Sequence, residues 1–194
     1  MTAPADEARF RDALGRFATG VTVVTALTDA GPLGFTCQAF TSLSLDPPMV
    51  ALAPAKRSTS WPLIAAAGSF CVNVLAADQE WLCRRFARPG GARADKFAGV
   101  AWQPAPAGAP IVEGVLAWVA CSLVDVHDAG DHELVTGRVL DLGIGEGAPL
   151  LFYRGRFAHL ADGDGLDGDG DGVELDGDGD GPDSDEDGDG PDRQ

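Results

Sequence analysis

The clearest pattern along the chain is an alternation of apolar and polar residues between Leu33 and Pro48. Leu43 and Leu45 alternate with serines, which is the period-two pattern of a half-buried strand. The strand ends at Asp46–Pro48, because proline has no N–H to donate and restricts the residue before it. Small hydroxyl and amide side chains on one face suit a flat ligand with polar edges, although an ordinary strand with a polar outer face explains the alternation equally well.

The rest of the chain up to residue 161 predicts many strands and a few short helices. Further strands are expected over Val21–Leu27, Met49–Ala53, Phe70–Leu75, Gly114–His127, His132–Leu142 and Pro149–His159, with Met49–Ala53 central in its sheet because it is wholly apolar. Helices are expected over Asp6–Phe17, Trp61–Ala67 and Asp78–Phe86, the first amphipathic. This order of elements favours a mainly β fold, an antiparallel β-barrel with peripheral α-helices.

One motif points to a different fold and is rejected on its context. The segment Gly143–Ala148 matches the glycine spacing of a dinucleotide-binding loop. That loop must open a helix, whereas Pro149 and a predicted strand follow here. We interpret the segment as a β-turn.

The composition changes near Asp162 and predicts two parts, a domain over residues 1–161 and an acidic tail over 162–194. The tail holds fifteen Asp or Glu, ten Gly and one Arg, so it carries −14 of the total charge of −16. A segment of this composition is expected to be disordered. Its Gly-Asp repeats resemble the start of a calcium loop but lack the bidentate Glu, so the sequence leaves calcium binding open.

The four cysteines are single and scattered, with no Cys-x-x-Cys pair. This spacing favours reduced thiols in a cytoplasmic protein over a disulfide scaffold. No apolar leader and no run of about 18 apolar residues is present, so we expect no membrane partner. We expect no nucleic-acid partner either.

The segment from Pro54 to Ser60 is a candidate phosphate site. Lys56 and Arg57 precede three hydroxyl residues, and a predicted helix begins at Trp61, with Ser58 or Ser60 as its N-cap. Free N–H groups, the helix dipole and two cations would converge there. A capped surface helix with two solvated charges is the alternative.

Seven short motifs in order resemble the short-chain flavin reductase family, the FMN-binding split barrels that serve two-component monooxygenases. They are Gly34-Phe35-Thr36, the run Ala39–Pro48, Lys56-Arg57-Ser58, Phe70–Leu75, Lys96-Phe97, Gly130-Asp131-His132 and Pro149-Leu150-Leu151. The resemblance spans about Phe10 to His159. It implies a homodimer that uses FMN (FAD is possible) with NADH or NADPH and passes reduced flavin to a partner monooxygenase.

The resemblance also implies a set of site residues. The flavin ring and its ribityl chain would be lined by Thr36, Cys37, Gln38, Ala39, Phe40, Ser42 and Ser44. The flavin phosphate would be held by Ala55, Lys56, Arg57, Ser58 and Ser60, and the site would be closed by Lys96 and Phe97. The nicotinamide nucleotide would lie near His132, the catalytic candidate, together with Tyr153, Arg154 and Arg156.

No metal is expected in this chemistry, since hydride passes from nicotinamide to flavin and the protein holds the two in register. His127 and His132 are five residues apart across a turn, with only His159 besides, which is a poor metal-ligand set. A protein that binds flavin without turning it over, as a carrier or sensor, is the alternative function. A calcium-binding role for the tail is a third.

Overall fold

The computed structural model describes residues 6–88 and 96–160. The α-helices that lie wholly within these ranges are Glu7–Leu14 (α1), Trp61–Ala67 (α2) and Glu80–Phe86 (α3), and a 3-10 turn at Ala77–Gln79 leads into α3. The twelve strands are Thr19–Gly20 (β1), Thr22–Thr28 (β2), Gly31–Cys37 (β3), Phe40–Leu45 (β4), Pro48–Leu52 (β5), Ser69–Val74 (β6), Trp102–Pro104 (β7), Pro110–Val112 (β8), Ala117–Ala129 (β9), His132–Ile144 (β10), Leu151–Tyr153 (β11) and Arg156–Ala158 (β12).

A seven-stranded antiparallel sheet forms the centre of the described part, in the order β3-β2-β6-β9-β10-β5-β4. The hairpin β9–β10 is its longest unit, with 13 residues in each strand and a turn at Gly130, whose φ of 75° suits glycine. Two register shifts in this pair, at Thr136/Gly137 and Val139/Asp141, mark β-bulges. Two small sheets, β1-β11-β12 and β7-β8, complete the β structure.

The large sheet is buried on both faces around β2 and β6. Val23 and Cys71 belong to one hydrophobic cluster, while their neighbours Val24 and Val72 belong to the other. Because successive side chains of a strand point to opposite faces, two cores on one sheet favour apolar residues at successive positions, and the buried Thr22 and Thr25 fit because their hydroxyls donate to carbonyl oxygens. This explains why β2 reads as a continuous run of Thr, Val, Ala and Leu.

A buried amide connects this sheet to the small β7–β8 sheet. Asn73, fully buried on β6, donates to the carbonyl oxygens of Val23 (3.1 Å) and Pro110 (3.2 Å) and accepts from the Val112 N–H (2.8 Å). Its amide also lies 3.1 Å from the Thr25 hydroxyl, which itself donates to the Pro110 carbonyl oxygen. A polar cluster with every group paired fixes the position of β8 over the core.

The predicted fold class, a mainly β antiparallel barrel with peripheral α-helices, is confirmed. Two details were wrong. The expected strand Pro149–His159 is two short strands, because the turn between them places Arg154 and Gly155 at positive φ (50° and 77°). β5 lies next to the edge strand β4 and not at the centre of the sheet. Its apolar sequence is explained by the burial of Val50–Leu52.

The first helix forms as expected, yet its apolar face is uncovered within residues 6–88 and 96–160. Phe10, Leu14 and Phe17 are 55%, 59% and 77% exposed. The helix is instead linked to the β11–β12 turn, where the Arg154 N–H donates to the Gly15 carbonyl oxygen at 2.8 Å. The rejection of a dinucleotide-binding loop at Gly143–Ala148 also agrees with the structure, since β10 runs to Ile144 and the next element is strand β11, which begins at Leu151. Among the helices within the described ranges, none is long and apolar enough to cross a bilayer.

Candidate active site

A cleft of about 1160 Å³ opens beside the β3 end of the large sheet. Its walls come from the end of β3, the segment after β5, α3 and the β11–β12 hairpin. The residues that line it are Phe35, Thr36, Cys37, Gln38, Ala39, Ala53, Pro54, Ala55, Arg57, Ser58, Thr59, Ser60, Glu80, Cys83, Arg84, Phe86, Ala87, Arg88, Lys96, His132, Phe152, Gly155, Arg156 and Phe157.

The contact between β3 and α3 sets one corner of the cleft. The Thr36 hydroxyl donates to the Cys83 carbonyl oxygen at 2.8 Å. Gly34 allows the close approach, because a Cβ there would lie 2.8 Å from the Val24 carbonyl oxygen and 3.1 Å from the Phe86 ring. β3 and α3 therefore form one continuous wall.

Cys37 lies in this wall as a neutral thiol. Burial raises its pKa to about 11, although its Sγ is 3.4 Å from the Ala39 carbonyl oxygen, a contact that lowers the pKa in part. A thiol with so high a pKa is a poor nucleophile at neutral pH. Cys37 thus contributes shape and a weak donor to the cleft.

The segment from Pro54 to Ser60 is held against the start of β10. Ala55 pairs with His132 in an antiparallel bridge, the Lys56 N–H donates to the Asp131 carbonyl oxygen at 3.0 Å, and the Glu133 N–H donates to Pro54 at 3.0 Å. The Ser58 hydroxyl accepts from the Trp61 N–H at 3.2 Å, while Ser60 occupies the N-cap position without a side-chain bond. Ser58 is therefore the side chain that caps α2.

His132 reaches the cleft from the tip of the β9–β10 hairpin. Its Nδ1 lies 2.7 Å from Asp131 Oδ1, and this hydrogen bond lowers the pKa of the Asp131 carboxyl below its usual value. With Nδ1 engaged by a carboxylate, Nε2 is the ring nitrogen left for a ligand. Partial exposure of the His132 side chain (43%) keeps it accessible.

Cations outnumber carboxylates on the cleft wall. The basic side chains are Arg57, Arg84, Arg88, Lys96 and Arg156, and among the described residues Glu80 is the one carboxylate that lines it. Lys96 donates to the carbonyl oxygens of Phe86 (3.0 Å) and Gly34 (3.4 Å), and burial lowers its pKa. Small polar groups, aromatic rings and an excess of positive charge fit an anionic nucleotide such as a flavin coenzyme.

Eleven predicted site residues lie together on this wall: Thr36, Cys37, Gln38, Ala39, Ala55, Arg57, Ser58, Ser60, Lys96, His132 and Arg156. Seven others lie off it: Phe40, Ser42, Ser44, Lys56, Phe97, Tyr153 and Arg154. Phe97 is buried against Phe86 with ring centroids 5.0 Å apart, and Lys56 pairs with Asp128. β4, which carries Phe40, Ser42 and Ser44, is the edge strand at the far end of the sheet order from β3.

The face of α3 is one part of the site that sequence patterns missed, and Phe152 and Phe157 on the β11–β12 hairpin are another. Glu80, Cys83, Arg84, Ala87 and Arg88 line the cleft at spacings of three, four, seven and eight residues. Such spacing places side chains on one face of a helix. This spacing is visible in the sequence, but only the packing of α3 on β3 shows which face of the helix meets the cleft.

No metal centre is found in the described residues, where no three His, Cys, Asp or Glu side chains are placed to hold an ion. His127 lies on β9 with its Nε2 3.3 Å from Asp125 Oδ2 and does not line the cleft. The two histidines thus have different surroundings.

An antiparallel β protein with a large cationic cleft of this kind is suited to an anionic ligand. The family model described as "Flavin reductase like domain" matches residues 14–161. The chain is 52% identical over 153 residues to the reductase subunit HsaB of a flavin-dependent monooxygenase from Rhodococcus jostii, covering 78% of this chain and 77% of that one. It is 45% identical over 152 residues to "FMN reductase (NADH) SmoA" of Agrobacterium fabrum, covering 78% and 85%.

The chain is also similar to a solved structure of a monooxygenase component. The crystal structure of nitrilotriacetate monooxygenase component B from Mycobacterium thermoresistibile superimposes with a TM-score of 0.75 at 46% identity, covering 80% of this chain and 87% of that one. The chain therefore belongs to the flavin reductase-like family. The prediction of an NAD(P)H:flavin oxidoreductase is confirmed by these relatives, which do not support a non-catalytic flavin carrier.

Proposed function

We propose that this chain uses NADH to reduce FMN bound in the cleft and supplies the reduced flavin to a separate monooxygenase. The observation that carries the proposal is the cleft itself: five cations and small hydrogen-bonding groups on one wall, in a chain of this family. NADH and FMN are preferred because the SmoA relative bears the name FMN reductase (NADH).

The phosphate of the flavin is assigned to the segment after β5. Arg57, Ser58 and Ser60 line the cleft there, and backbone pairing with β10 holds the segment in place. A guanidinium beside hydroxyl groups is a suitable donor set for a phosphate. Lys56 stays a predicted contributor, although its side chain pairs with Asp128 in this structure.

The flat ring of the flavin is assigned to the wall formed by Thr36–Ala39. A bound flavin supplies the acceptor for two electrons and a proton from nicotinamide, which no side chain can provide. The chain's own residues bind and orient the ring, and Lys96, half-buried at the same wall, supplies positive charge. The predicted contacts from Phe40, Ser42, Ser44 and Phe97 require a neighbouring subunit or a rearrangement.

His132 and Arg156 are assigned to the nicotinamide nucleotide. Both line the cleft from different elements, and Asp131 orients the imidazole so that Nε2 is free to contact the ligand. Tyr153 and Arg154 lie in the adjoining turn and remain predictions.

A homodimer is proposed on the basis of uncovered apolar side chains along two strands. Leu45 on β4 is 89% exposed, and Leu142 and Ile144 on β10 are 55% and 87% exposed. Rows of this kind usually meet another protein surface. A second copy of the chain is the proposed occupant.

The domain boundary at residue 161 and the cytoplasmic location also remain proposals. The family match ends at residue 161, which supports the boundary, and the acidic tail that follows lies outside the described residues, including its calcium-like repeats. All four cysteines are free and buried, as a reduced protein requires.

The test follows NADH absorbance with FMN, FAD and riboflavin as acceptors. Arg57→Gln is expected to raise KM for FMN about tenfold, the effect of losing a charged hydrogen bond, and to leave riboflavin unchanged because it has no phosphate. Arg138→Gln, on the exposed side of β10, is the matched control. Absence of NADH oxidation with all three flavins would reject the proposed function.

A further inference from the structure

We infer that a second pocket, formed around Trp102, Glu113 and Trp118, binds a small organic cation of the substituted ammonium class. The pocket lies beside the β7–β8 sheet and has a volume of about 420 Å³. Volumes of roughly 300–1,000 Å³ are typical of small-ligand sites. None of the residues that line it also lines the cleft described above. The inference therefore concerns a separate site and does not depend on the proposed function.

The glycines of the Gly143–Ala148 segment place Trp118 in the wall of this pocket. Gly143 pairs with Trp118 across the β9–β10 hairpin, and a Cβ on Gly143 would lie 2.6 Å from Cε2 and 2.9 Å from Cζ2 of the indole. Gly145 also lines the pocket, and its N–H donates to the Leu116 carbonyl oxygen at 2.6 Å. The glycine spacing that mimics a nucleotide-binding loop therefore allows the Trp118 ring to lie against β10.

The second indole of the pocket comes from β7. Trp102 pairs with Val112 on β8, and its ring packs edge-to-face on Phe97 with ring centroids 6.3 Å apart. Trp102 and Trp118 are both half-buried, so each ring packs on the core and keeps part of its surface accessible. The face of an indole ring carries negative potential and attracts cations more strongly than the other aromatic side chains.

The exposed Glu113 brings a carboxylate to the same pocket on a fixed backbone. Its N–H donates to the Ala101 carbonyl oxygen at 3.0 Å, and its own carbonyl oxygen accepts from the buried Gln79 side chain at 2.8 Å. Within residues 6–88 and 96–160 the Glu113 carboxylate forms no ion pair. Its negative charge is therefore available to a ligand.

The charge of this pocket is opposite to that of the cleft. Among the described residues that line the pocket, Glu113 is the one charged side chain, whereas cations outnumber carboxylates on the cleft wall. Two indole rings, a carboxylate and the amide of Gln103 favour a positive ligand over an anionic nucleotide. Aromatic rings around a compact cation are the arrangement that recognises quaternary ammonium groups. An alkylammonium ion is the ligand class that fits.

Nuclear magnetic resonance of the isotope-labelled full-length protein tests the site, because the indole N–H of each of the four tryptophans gives its own signal. The probes are choline and neohexyl alcohol, an uncharged molecule of the same shape. We expect choline to shift the signals of Trp102 and Trp118 and to leave those of Trp61 and Trp81 in place. Neohexyl alcohol should bind about tenfold more weakly, because it lacks the charge that the indoles and the carboxylate attract.

Two pairs of variants separate the charge from the rings. Glu113→Gln should weaken choline binding about fivefold and leave neohexyl alcohol unchanged, and Glu146→Gln, an exposed carboxylate that does not line the pocket, is the matched control. Trp102→Phe should weaken choline binding about threefold, with Trp81→Phe outside the pocket as its control. The tryptophan variants also identify which indole signal belongs to which residue.

The inference is overturned by equal affinity of the wild type for the two probes, which would show an apolar pocket only. Equal choline affinity in Glu113→Gln and Glu146→Gln, or no shift of the Trp102 and Trp118 signals, also overturns it. Ile144 lines the pocket and belongs to the face proposed for the homodimer, so the titration is repeated at two protein concentrations. Choline affinity that falls as the dimer forms would show that the second copy fills the pocket, and would likewise overturn the inference.

Discussion

Thr36 and Cys83 are 47 residues apart in sequence and are joined by one hydrogen bond of 2.8 Å, from the threonine hydroxyl to the cysteine carbonyl oxygen. This bond joins β3 to α3 where both form the cleft wall. We expect Thr36→Val to lower the free energy of unfolding by about 1 kcal/mol and to raise KM for flavin, since the hydrogen bond between β3 and α3 is lost. Thr36→Ser keeps the hydroxyl and serves as control in urea unfolding and steady-state kinetics. A valine variant with wild-type stability and KM would contradict this role.

Gly34→Ala tests the close approach on the same wall. The added methyl would lie 2.8 Å from the Val24 carbonyl oxygen, so the strand or α3 must shift. The expected cost is about 1–3 kcal/mol of unfolding free energy. Gly20→Ala is the control, because its Cβ would meet nothing within 4 Å. Urea unfolding of both variants measures the difference. Equal stabilities would contradict the prediction, because they would show that the neighbouring residues move aside at no cost in free energy.

Asn73 is expected to be the most sensitive polar position of the core. Asn73→Ala would leave the buried Val112 N–H without its acceptor and remove several donated bonds. We expect a loss of about 2–4 kcal/mol, measured by thermal or urea unfolding. Thr41→Ala, at an exposed hydroxyl that bonds only the adjacent residue's carbonyl, should change stability by less than about 0.5 kcal/mol. A tolerant Asn73 site would mean that water replaces the lost bonds.

His132→Ala tests the nucleotide contact. We expect KM for NADH to rise about tenfold while flavin affinity is kept, because the imidazole lines the cleft beside the assigned flavin site. His127→Ala is the matched control, since that histidine pairs with Asp125 away from the cleft. Fluorescence titration of flavin separates the two affinities. Equal kinetics for both variants would remove His132 from the site.

The free energy of unfolding should depend on pH at alkaline values in part through the ionisation of the buried Cys37 thiol. Its pKa is raised from 9.0 to about 11 by burial, so the unfolded state loses this proton first as pH rises. The contribution of Cys37 to the free energy of unfolding is fully present below pH 9. It decreases between pH 9 and 11, by up to about 1.4 kcal/mol per pH unit. Cys37→Ser removes that part of the slope in urea unfolding at several pH values. An unchanged slope would show that the thiol titrates normally.

Much of the fold was predictable because the strands carry local signals. The β-branched runs, the Gly130 turn and the Asp46–Pro48 stop are each readable in a few residues. The positions of short pieces were less predictable. Whether Pro149–His159 forms one strand or two depends on the backbone at Arg154, which its sequence does not dictate.

The candidate site was predictable where contiguous motifs form it, as at Thr36–Ala39 and Arg57–Ser60. The contribution of α3 was not, because the face it turns to the cleft is set by the contact of its Phe86 with Gly34 on β3, which the sequence of the helix alone does not show. A different explanation applies to the seven predicted residues that do not line the cleft. Phe40, Lys56, Phe97, Tyr153 and Arg154 stand next to cleft residues in sequence, and alternation along the chain turns some of them away, whereas Ser42 and Ser44 lie further along β4.

The walls of the cleft come from segments between Phe35 and Phe157, and β12 is the last of them to be synthesised. While the ribosome is still translating the β9–β10 hairpin, a nascent chain has Thr36 and Arg57 but lacks Arg156 and Phe157. The full lining therefore exists only once Phe157 has been added, and a polypeptide that stops before Arg156 has an incomplete pocket.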